Sequence, residues 1–409
     1  MPKEKTPLLF LSHRIPYPPN KGDKIRSWHL LNHLSKQHDI YLGTFIDDPE
    51  DWQYINHLKT VCTDSCFIEI RPLIQRLKSL TGFLTGNPLS VPYYSSKRLQ
   101  SWVNAVIAEH GIKKVIVFSS AVIQFIDSQS LELEKLIIDF VDVDSDKWQQ
   151  YADSKQWPMK SIFKREANKL LTFDRDAAKR SSASLFVSES EAALFRSLAP
   201  ESADKISHYC NGVDTSFFSP NHKLTNPFKP SDKTLVFTGA MDYWPNIDAV
   251  CWFSKEILPS IREKEKNTVF YIVGGKPSNL VMELSKLPGV VVTGRVDDVR
   301  PYLQHSLAAV APMRIARGVQ NKVLEAMAMA KPVICTPQAI EGIATSDVLV
   351  AENPEQYSKH ILDVLSNQYP IMGTSARKFV QNAFTWESTL PTVSNLLKNT
   401  TLQKVVSVG

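Results

Sequence analysis

The chain has 409 residues, 43% of them hydrophobic, and a formal charge of +5 at pH 7. It is too long for one typical hydrophobic core and long enough for two, and its weak positive balance, without a clustered Lys/Arg stripe, excludes a nucleic-acid binder as the natural class. Cys62, Cys66, Cys210, Cys251 and Cys335 are scattered, odd in number and without a second Cys or His pair at ligand spacing, which argues for reduced thiols and against structural zinc.

From the N-terminus, the charged MPKEKTP leads into LLFLSH, which is too short for a signal-peptide core or a membrane span and reads as a first strand. The protein is therefore expected in the cytoplasm. The loop Ser12 to Asp23 is stiffened by Pro16, Pro18 and Pro19, and Gly22 stands at the entrance of a helix predicted over Lys24 to Ser35. A glycine there lets a ligand approach the backbone; the alternative is that Gly22 and Asp23 form a turn and helix cap. The runs DIYLGTF, CFIEIRP, KKVIVFSS, KLIIDFVDV and SASLFVSES follow, separated by helical patterns, the rhythm of a mostly parallel sheet covered on both faces. Within this half, Leu73, Leu77, Leu80 and Leu84 recur on one helical face of Arg71 to Tyr94, beside Arg71, Arg76 and Lys78. Such a stripe is expected to pack into the core of the first domain, with peripheral contact to the inner membrane as the alternative.

At the end of KLIIDFVDV the chain presents Asp139, Asp142, Asp144 and Asp146. Lys147 stands where a calcium loop needs Gly and no Glu closes the run, so no metal site is predicted. A carboxylate at the carboxyl end of a strand can instead orient or deprotonate a hydroxyl. Asp144 is nominated for that role, with Asp142 as alternative; N-capping by Asp144 or Ser145 is the structural reading of the same residues.

Ser219 to Asp232 is poor in apolar residues and rich in Pro and Asn, as a linker is. The β rhythm then restarts with TLVFTGAM, TVFYIVGG, GVVVTGR, SLAAVAPM and PVICTPQ, giving two doubly wound α/β domains. Gly239 lies between a strand and a helix opened by Pro245 and Asn246, a junction suited to phosphate. The last two runs enclose Arg314, Arg317 and Gly318 in a polar loop, followed by Asn321, Lys322 and Glu325 in a helix. The helix N-terminus favours a phosphate, which Lys322 can neutralise while Glu325 accepts from a diol. The alternative is an ordinary amphipathic helix with Lys322 and Glu325 solvated.

Ala308 to Thr336, AAVAPMRIARGVQNKVLEAMAMAKPVICT, is similar to the signature of family 4 retaining glycosyltransferases. So are Asn211, Gly212, Val213 and Asp214 with Phe217, Phe218 and Pro220, and the set Gly294, Val296 and Asp298. SHRIPYPPNKGDKIR, DFVDVDSDKWQQYA and GAMDYWPNIDAV resemble more narrowly the exosortase-associated (PEP-CTERM system) sugar transferases of bacterial exopolysaccharide clusters. The resemblance implies a GT-B fold of two Rossmann-like domains facing a cleft: 1–218 for the acceptor, 219–232 as linker, 233–383 for the nucleotide-sugar, and 384–409 crossing back to the first domain. It implies that Glu325 grips the donor ribose and that Gly294, Arg295 and Val296 meet the base through their backbone. Gly239, Arg317, Gly318 and Asn321 would line the donor; Gly22, Asp23, Arg26 and Asp142 would line the acceptor.

Two positions depart from the family pattern. Many relatives carry Arg directly after the glycine that is Gly239 here and Lys a few residues on, where this chain has Ala240, Asp242 and Asn246; their carboxylate eight positions before the helix glutamate is Arg317 here. The charge of a leaving diphosphate is then expected to be met by Arg314, Arg317 and Lys322, cations without neighbouring acids, with no metal or other cofactor, in a front-face substitution. The expected activity is sugar transfer from a nucleotide-diphosphate sugar to a cell-surface polysaccharide precursor or other glycan or lipid-linked acceptor. A sugar-nucleotide epimerase and a catalytically silent nucleotide-sugar binding protein are the alternatives.

Overall fold

The computed structural model describes residues 5–20, 22–126, 132–153, 155–316 and 318–398, and the chain divides into two compact units, Met1–Tyr209 with Leu390–Gly409, and Cys210–Thr389. In the first unit, β1 (Thr6–Ser12), β2 (His38–Ile46), β3 (Asp64–Glu69), β4 (Lys114–Phe118), β5 (Lys135–Val141), β6 (Ala183–Phe186) and β7 (Ile206–His208) form a parallel sheet in the order β3-β2-β1-β4-β5-β6-β7. Parallel neighbours need crossovers, which helices such as Gly22–Ser35, Lys97–His110 and Met159–Arg180 supply. Leu8 to Leu11 of β1 are wholly buried, the pattern of a strand covered on both faces. Gly43 of β2 is needed for that cover, because a Cβ there would stand 2.9 Å from Leu99 Cδ1 of the Lys97–His110 helix.

The second unit repeats the plan. β8 (Lys233–Thr238), β9 (Thr268–Val273), β10 (Val290–Gly294), β11 (Ala308–Ala311), β12 (Val333–Cys335) and β13 (Leu349–Val350) form a parallel sheet in the order β10-β9-β8-β11-β12-β13. The winding therefore reverses between β1 and β4, and again between β8 and β11. Open α/β sheets bind ligands beyond the carboxyl ends of the strands at such a point.

The expected organisation needs three corrections. The first unit ends at Tyr209 rather than 218, because the Val213 N–H donates to the Phe384 carbonyl at 2.7 Å and Val213 bridges Thr385 inside the second unit. Residues 219–232 are not a free linker: Gln304 donates to the Pro220 and His222 carbonyls, His305 to that of Leu224, and Phe228 is buried against Tyr271 and Tyr302. The return to the first unit begins at Leu390 rather than 384, where Ser394 of the Pro391–Lys398 helix meets His33 Nε2 at 2.8 Å.

The leucine stripe is also not where the sequence suggested. Leu73, Leu77, Leu80 and Leu84 are 77%, 69%, 52% and 89% exposed, which overturns the expectation of a core helix. The short helices Pro72–Ser79 and Thr81–Thr85 turn Gln75 and Gly82 inward instead.

Candidate active site

In the second unit the reversal point is flanked by residues 239–243 and by 312–316 and 318–320, which lead to the helices Trp244–Trp252 and Asn321–Ala328. The helix Trp244–Trp252 has Pro245 in its first turn, and Asn321–Ala328 is entered through an extended Gln320 that makes no side-chain cap. First-turn N–H groups without a cap are a place for an anion. The second helix buries Val323, Leu324, Ala326, Met327 and Ala328, which fixes the face that carries Lys322 and Glu325.

Lys322 is held inside this corner rather than solvated. Its ammonium lies 2.5 Å from Asn246 Oδ1, 3.7 Å from Met313 Sδ and 4.5 Å from the Phe237 ring centroid. Among the described residues no carboxylate comes within ion-pair distance, and burial lowers its pKa to about 7. Glu325, one helical turn on, is pushed up to about 7 by the same burial, against the pull of the Lys322 charge. No side chain among the described residues bonds its carboxyl. Both side chains are half-buried, so an ammonium with neutral partners and a carboxyl with none carry part of the cost of full burial, which is on the order of several kcal/mol per ion. A ligand with phosphate at one end and hydroxyls at the other would relieve both.

Asn246, itself buried, also donates Nδ2 to the Ala240 carbonyl at 2.9 Å. A Cβ at position 239 would stand 2.7 Å from that nitrogen and 3.5 Å from Lys322 Nζ, so only Gly239 lets the backbone run beside the ammonium. On the next strand end a Cβ at Gly274 would lie 1.7 Å from the Gly239 oxygen. Its N–H donates to Gly294, which has φ 70 and therefore needs the left-handed backbone that glycine adopts. These glycines step across the ends of β8, β9 and β10. Gly274, readable in the VGG at the end of β9, is one that the sequence reading missed. Arg295 is exposed and Val296 packs partly against the core of the unit.

The three resembling segments meet within this unit. Asn211 Nδ2 donates to Asn321 Oδ1 at 3.4 Å, and Arg300, bonded to Asp298, lies 3.7 Å from the Phe217 ring centroid. Asp298 also takes the Arg300 N–H at 2.9 Å, so its place in the pattern is structural. Gly318 has φ 61, and its carbonyl accepts from Gln320. Arg314 corrects an expectation: Asp248 holds it, Nε to Oδ2 at 3.0 Å, so it is not a cation without a neighbouring acid. Arg317 lies outside the described residues.

In the first unit Gly22 opens its helix, and a Cβ there would meet nothing within 4 Å. Asp23 is occupied by Arg14 at 2.6 Å and His13 at 3.5 Å. Against the upward push of burial, the His13 hydrogen bond and the Arg14 charge hold its carboxyl well below the usual range, so it is no proton acceptor near neutral pH. Arg26 is not an acceptor ligand. It is wholly buried, with Nε 2.9 Å from Asp139 and Nη1 2.9 Å from the Tyr209 carbonyl, while the Tyr209 hydroxyl donates to the same carboxylate at 2.5 Å.

β5 ends at Val141, a β-branched residue with φ 70, where its pairing with β6 shifts register. Such backbone costs about 1–3 kcal/mol and clusters at functional sites. Asp142 and Asp144 follow it, holding Lys147 at 2.7 and 3.1 Å. Asp144 opens the helix Asp144–Asp153 with its side chain 57% exposed, and the first turn closes on the Val143 carbonyl, so neither Asp144 nor Ser145 is the capping residue. Two residues here were missed. Asp174 is buried, which pushes its pKa to about 8 although Ser120 bonds it, and its Oδ1 has no partner. Its signal was an acid on the apolar face that carries Leu170, Ala177 and Ala178. His13 follows β1 directly, and its buried Nδ1 has no partner. Among the described residues no group of three His, Cys, Asp or Glu could hold a metal ion, and no helix is long and apolar enough to cross a membrane.

Two Rossmann-like parallel-sheet units in one chain define the class: the fold is that of GT-B glycosyltransferases. Sucrose-phosphate synthase from Thermosynechococcus elongatus is similar over 96% of this chain and 98% of its own, with TM-score 0.69 and 17% identity. A glycosyltransferase from Rickettsia africae ESF-5 is similar over 97% and 99%, with TM-score 0.64 and 13% identity. HepE from Anabaena, solved in complex with UDP, is similar over 96% and 100%, with TM-score 0.62 and 12% identity. More narrowly, residues 232–367, about a third of the chain, match the family model of Glycosyl transferases group 1. No curated protein matches the chain in sequence.

Proposed function

We propose that the protein is a retaining glycosyltransferase of the family 4 kind, moving a hexosyl group from a nucleotide-diphosphate sugar to a glycan or lipid-linked acceptor. The observation that supports this most is the Lys322 ammonium, carried to the reversal point of the second sheet by Asn246 without a carboxylate partner, one turn from Glu325. The match of residues 232–367 and the UDP in the Anabaena structure support a nucleoside diphosphate as its ligand. In this reading Lys322 substitutes for the lysine that many family 4 enzymes carry a few residues after the glycine that is Gly239 here.

In this reading Lys322 and the N–H groups of the Asn321–Ala328 helix neutralise the diphosphate, and Glu325, as carboxylate, accepts from the ribose hydroxyls. Gly239, Arg317, Gly318 and Asn321 line the donor, and the backbone of Gly294, Arg295 and Val296 meets the base. The bond between the sugar C1 and the diphosphate oxygen breaks with its electron pair staying on the diphosphate. The acceptor oxygen bonds C1 on the same face, and its proton passes to Asp144, with Asp142 and Gly22 on the acceptor side. Lys322 meets the growing charge without a metal ion; Arg314, already paired with Asp248, adds less. The reading extends to a bacterial, cytoplasmic enzyme of exopolysaccharide assembly at the periphery of the inner membrane, as the narrower exosortase-associated resemblance implies.

The test is incubation with UDP-, GDP-, ADP- and dTDP-sugars and a cell-envelope extract, read by mass spectrometry. One donor should release its nucleoside diphosphate as an extract component gains the sugar, and Lys322→Ala should lose both. An isomerised sugar nucleotide with no diphosphate released would make the protein an epimerase. Donors bound but returned unchanged would leave a binding protein.

A further inference from the structure

The exposed leucines of the first unit form part of a larger surface. The 72–93 segment rests on the start of the Met159–Arg180 helix: Arg165 donates to the Gly82 and Asn87 carbonyls and lies over the Phe83 ring, and Glu166 accepts from the Leu89 N–H at 2.7 Å. Trp157 and Met159, at the entrance of that helix, are 81% and 43% exposed, and Phe83 is 43% exposed. Two short helices and one helix entrance therefore bring outward-facing leucines, a phenylalanine and a tryptophan to neighbouring parts of one unit. Large apolar side chains exposed in neighbouring segments mark an interaction surface.

Charge selects the occupant. Residues 71–87 contain Arg71, Arg76 and Lys78 and no acid; residues 155–169 contain Lys155, Lys160, Lys164, Arg165 and Lys169, with Glu166 as the single acid. Glu166 is buried and spent on Leu89, and Arg71 faces Glu69, whereas Arg76, Lys78, Lys160 and Lys164 are in no ion pair among the described residues. Leucines along one face, flanking lysines and arginines, and an exposed tryptophan at the rim are the composition of a helix lying in a lipid interface.

We propose that this surface docks the protein on a bilayer rich in anionic lipid, with Leu73, Leu77, Leu80 and Leu84 entering the headgroup boundary and the unpaired cations meeting lipid phosphates. The proposal rests on the membrane-peripheral part of the function above and is independent of the donor site. It gives the enzyme a lipid-linked acceptor as neighbour and a salt-sensitive attachment.

The experiment is flotation of the full chain with vesicles of phosphatidylcholine alone, or of phosphatidylcholine mixed with phosphatidylglycerol, whose negative surface attracts polybasic segments. The protein should float with the anionic vesicles and far less with the neutral ones, and molar salt should release it. Leu77→Glu with Leu84→Glu should cut the bound fraction at least tenfold, and Arg76→Glu with Lys78→Glu should abolish the anionic preference. Tryptophan emission should shift to the blue on binding, and Trp157→Phe should remove most of that shift. Failure of the wild type to float, or equal flotation of wild type and the double-leucine variant, overturns the proposal; self-association abolished by that variant, without flotation, would make the face a protein interface instead. Nucleotide titration of the same samples separates the two readings, since loss of flotation with nucleotide binding intact sinks only this one.

Discussion

Apart from the extra edge strand β7, the two sheets share one strand order, yet the charges around their reversal points are arranged differently. In the first unit four cations near the reversal point have carboxylates: Arg14 with Asp23 and Asp47, Lys24 with Asp51, Arg26 with Asp139, and Lys147 with Asp142 and Asp144. In the second, Lys322 has an amide, a thioether and an aromatic ring, and Glu325 has no bonded partner among the described residues. Burial moves the Lys322 and Glu325 pKa values toward each other, to about 7 each, because desolvation outweighs their mutual attraction. The lesson is that a paired buried ion holds a fold together, whereas an unpaired one is tolerated where a ligand completes it.

That contrast can be broken by three substitutions and one pH profile. Asp144→Asn should lower transfer by about 10²–10⁴-fold with nucleotide affinity unchanged, the range for losing a general base. Persistent transfer in steady-state assays would remove that role. Asp139→Asn uncovers the buried Arg26 and should cost about 3–5 kcal/mol of stability in denaturant titration. Nucleotide affinity of the folded variant should be kept. Lys322→Met should do the reverse, lowering turnover by about 10²–10³-fold, as loss of one donor to developing charge does, while leaving stability equal or higher.

The smallest effect is on pH dependence. Lys322, depressed to about 7 when free, loses its charge as pH rises through that value, and a bound diphosphate would restore it, so binding takes up a proton and weakens on the alkaline side. Glu325, raised to about 7, loses its carboxylate as pH falls, so ribose binding weakens on the acid side. Nucleotide affinity measured by calorimetry should peak near pH 7 and fall by up to about tenfold per unit on either side. The two limbs belong to the pair; Lys322→Met should flatten the alkaline one.

Much of the fold was legible because strands covered on both faces read as continuous apolar runs, as LLFL of β1 and LVF of β8 do. β7 and β13, at three and two residues, are too short to leave a pattern. Side-chain partners distant in sequence were not legible. Arg26 sits four residues after Gly22 and looked like a ligand-facing residue, but its carboxylate is 113 positions away. Arg314 has its acid 66 positions back, and the Asn246 that carries Lys322 lies 76 positions before it. Periodicity placed Leu73, Leu77, Leu80 and Leu84 on one face but carries no information on what covers that face.

The central claim is that the unpaired Lys322 and Glu325 form a nucleoside-diphosphate site. Isothermal titration of the protein with UDP, GDP, ADP and dTDP, without added metal, beside Glu325→Ala, addresses it most directly. The account predicts specific binding of one nucleotide, weakened at least tenfold in Glu325→Ala, about the worth of a hydrogen bond to a charged group. No binding by any nucleotide, or equal binding by Glu325→Ala, would contradict it and reduce this corner to packing.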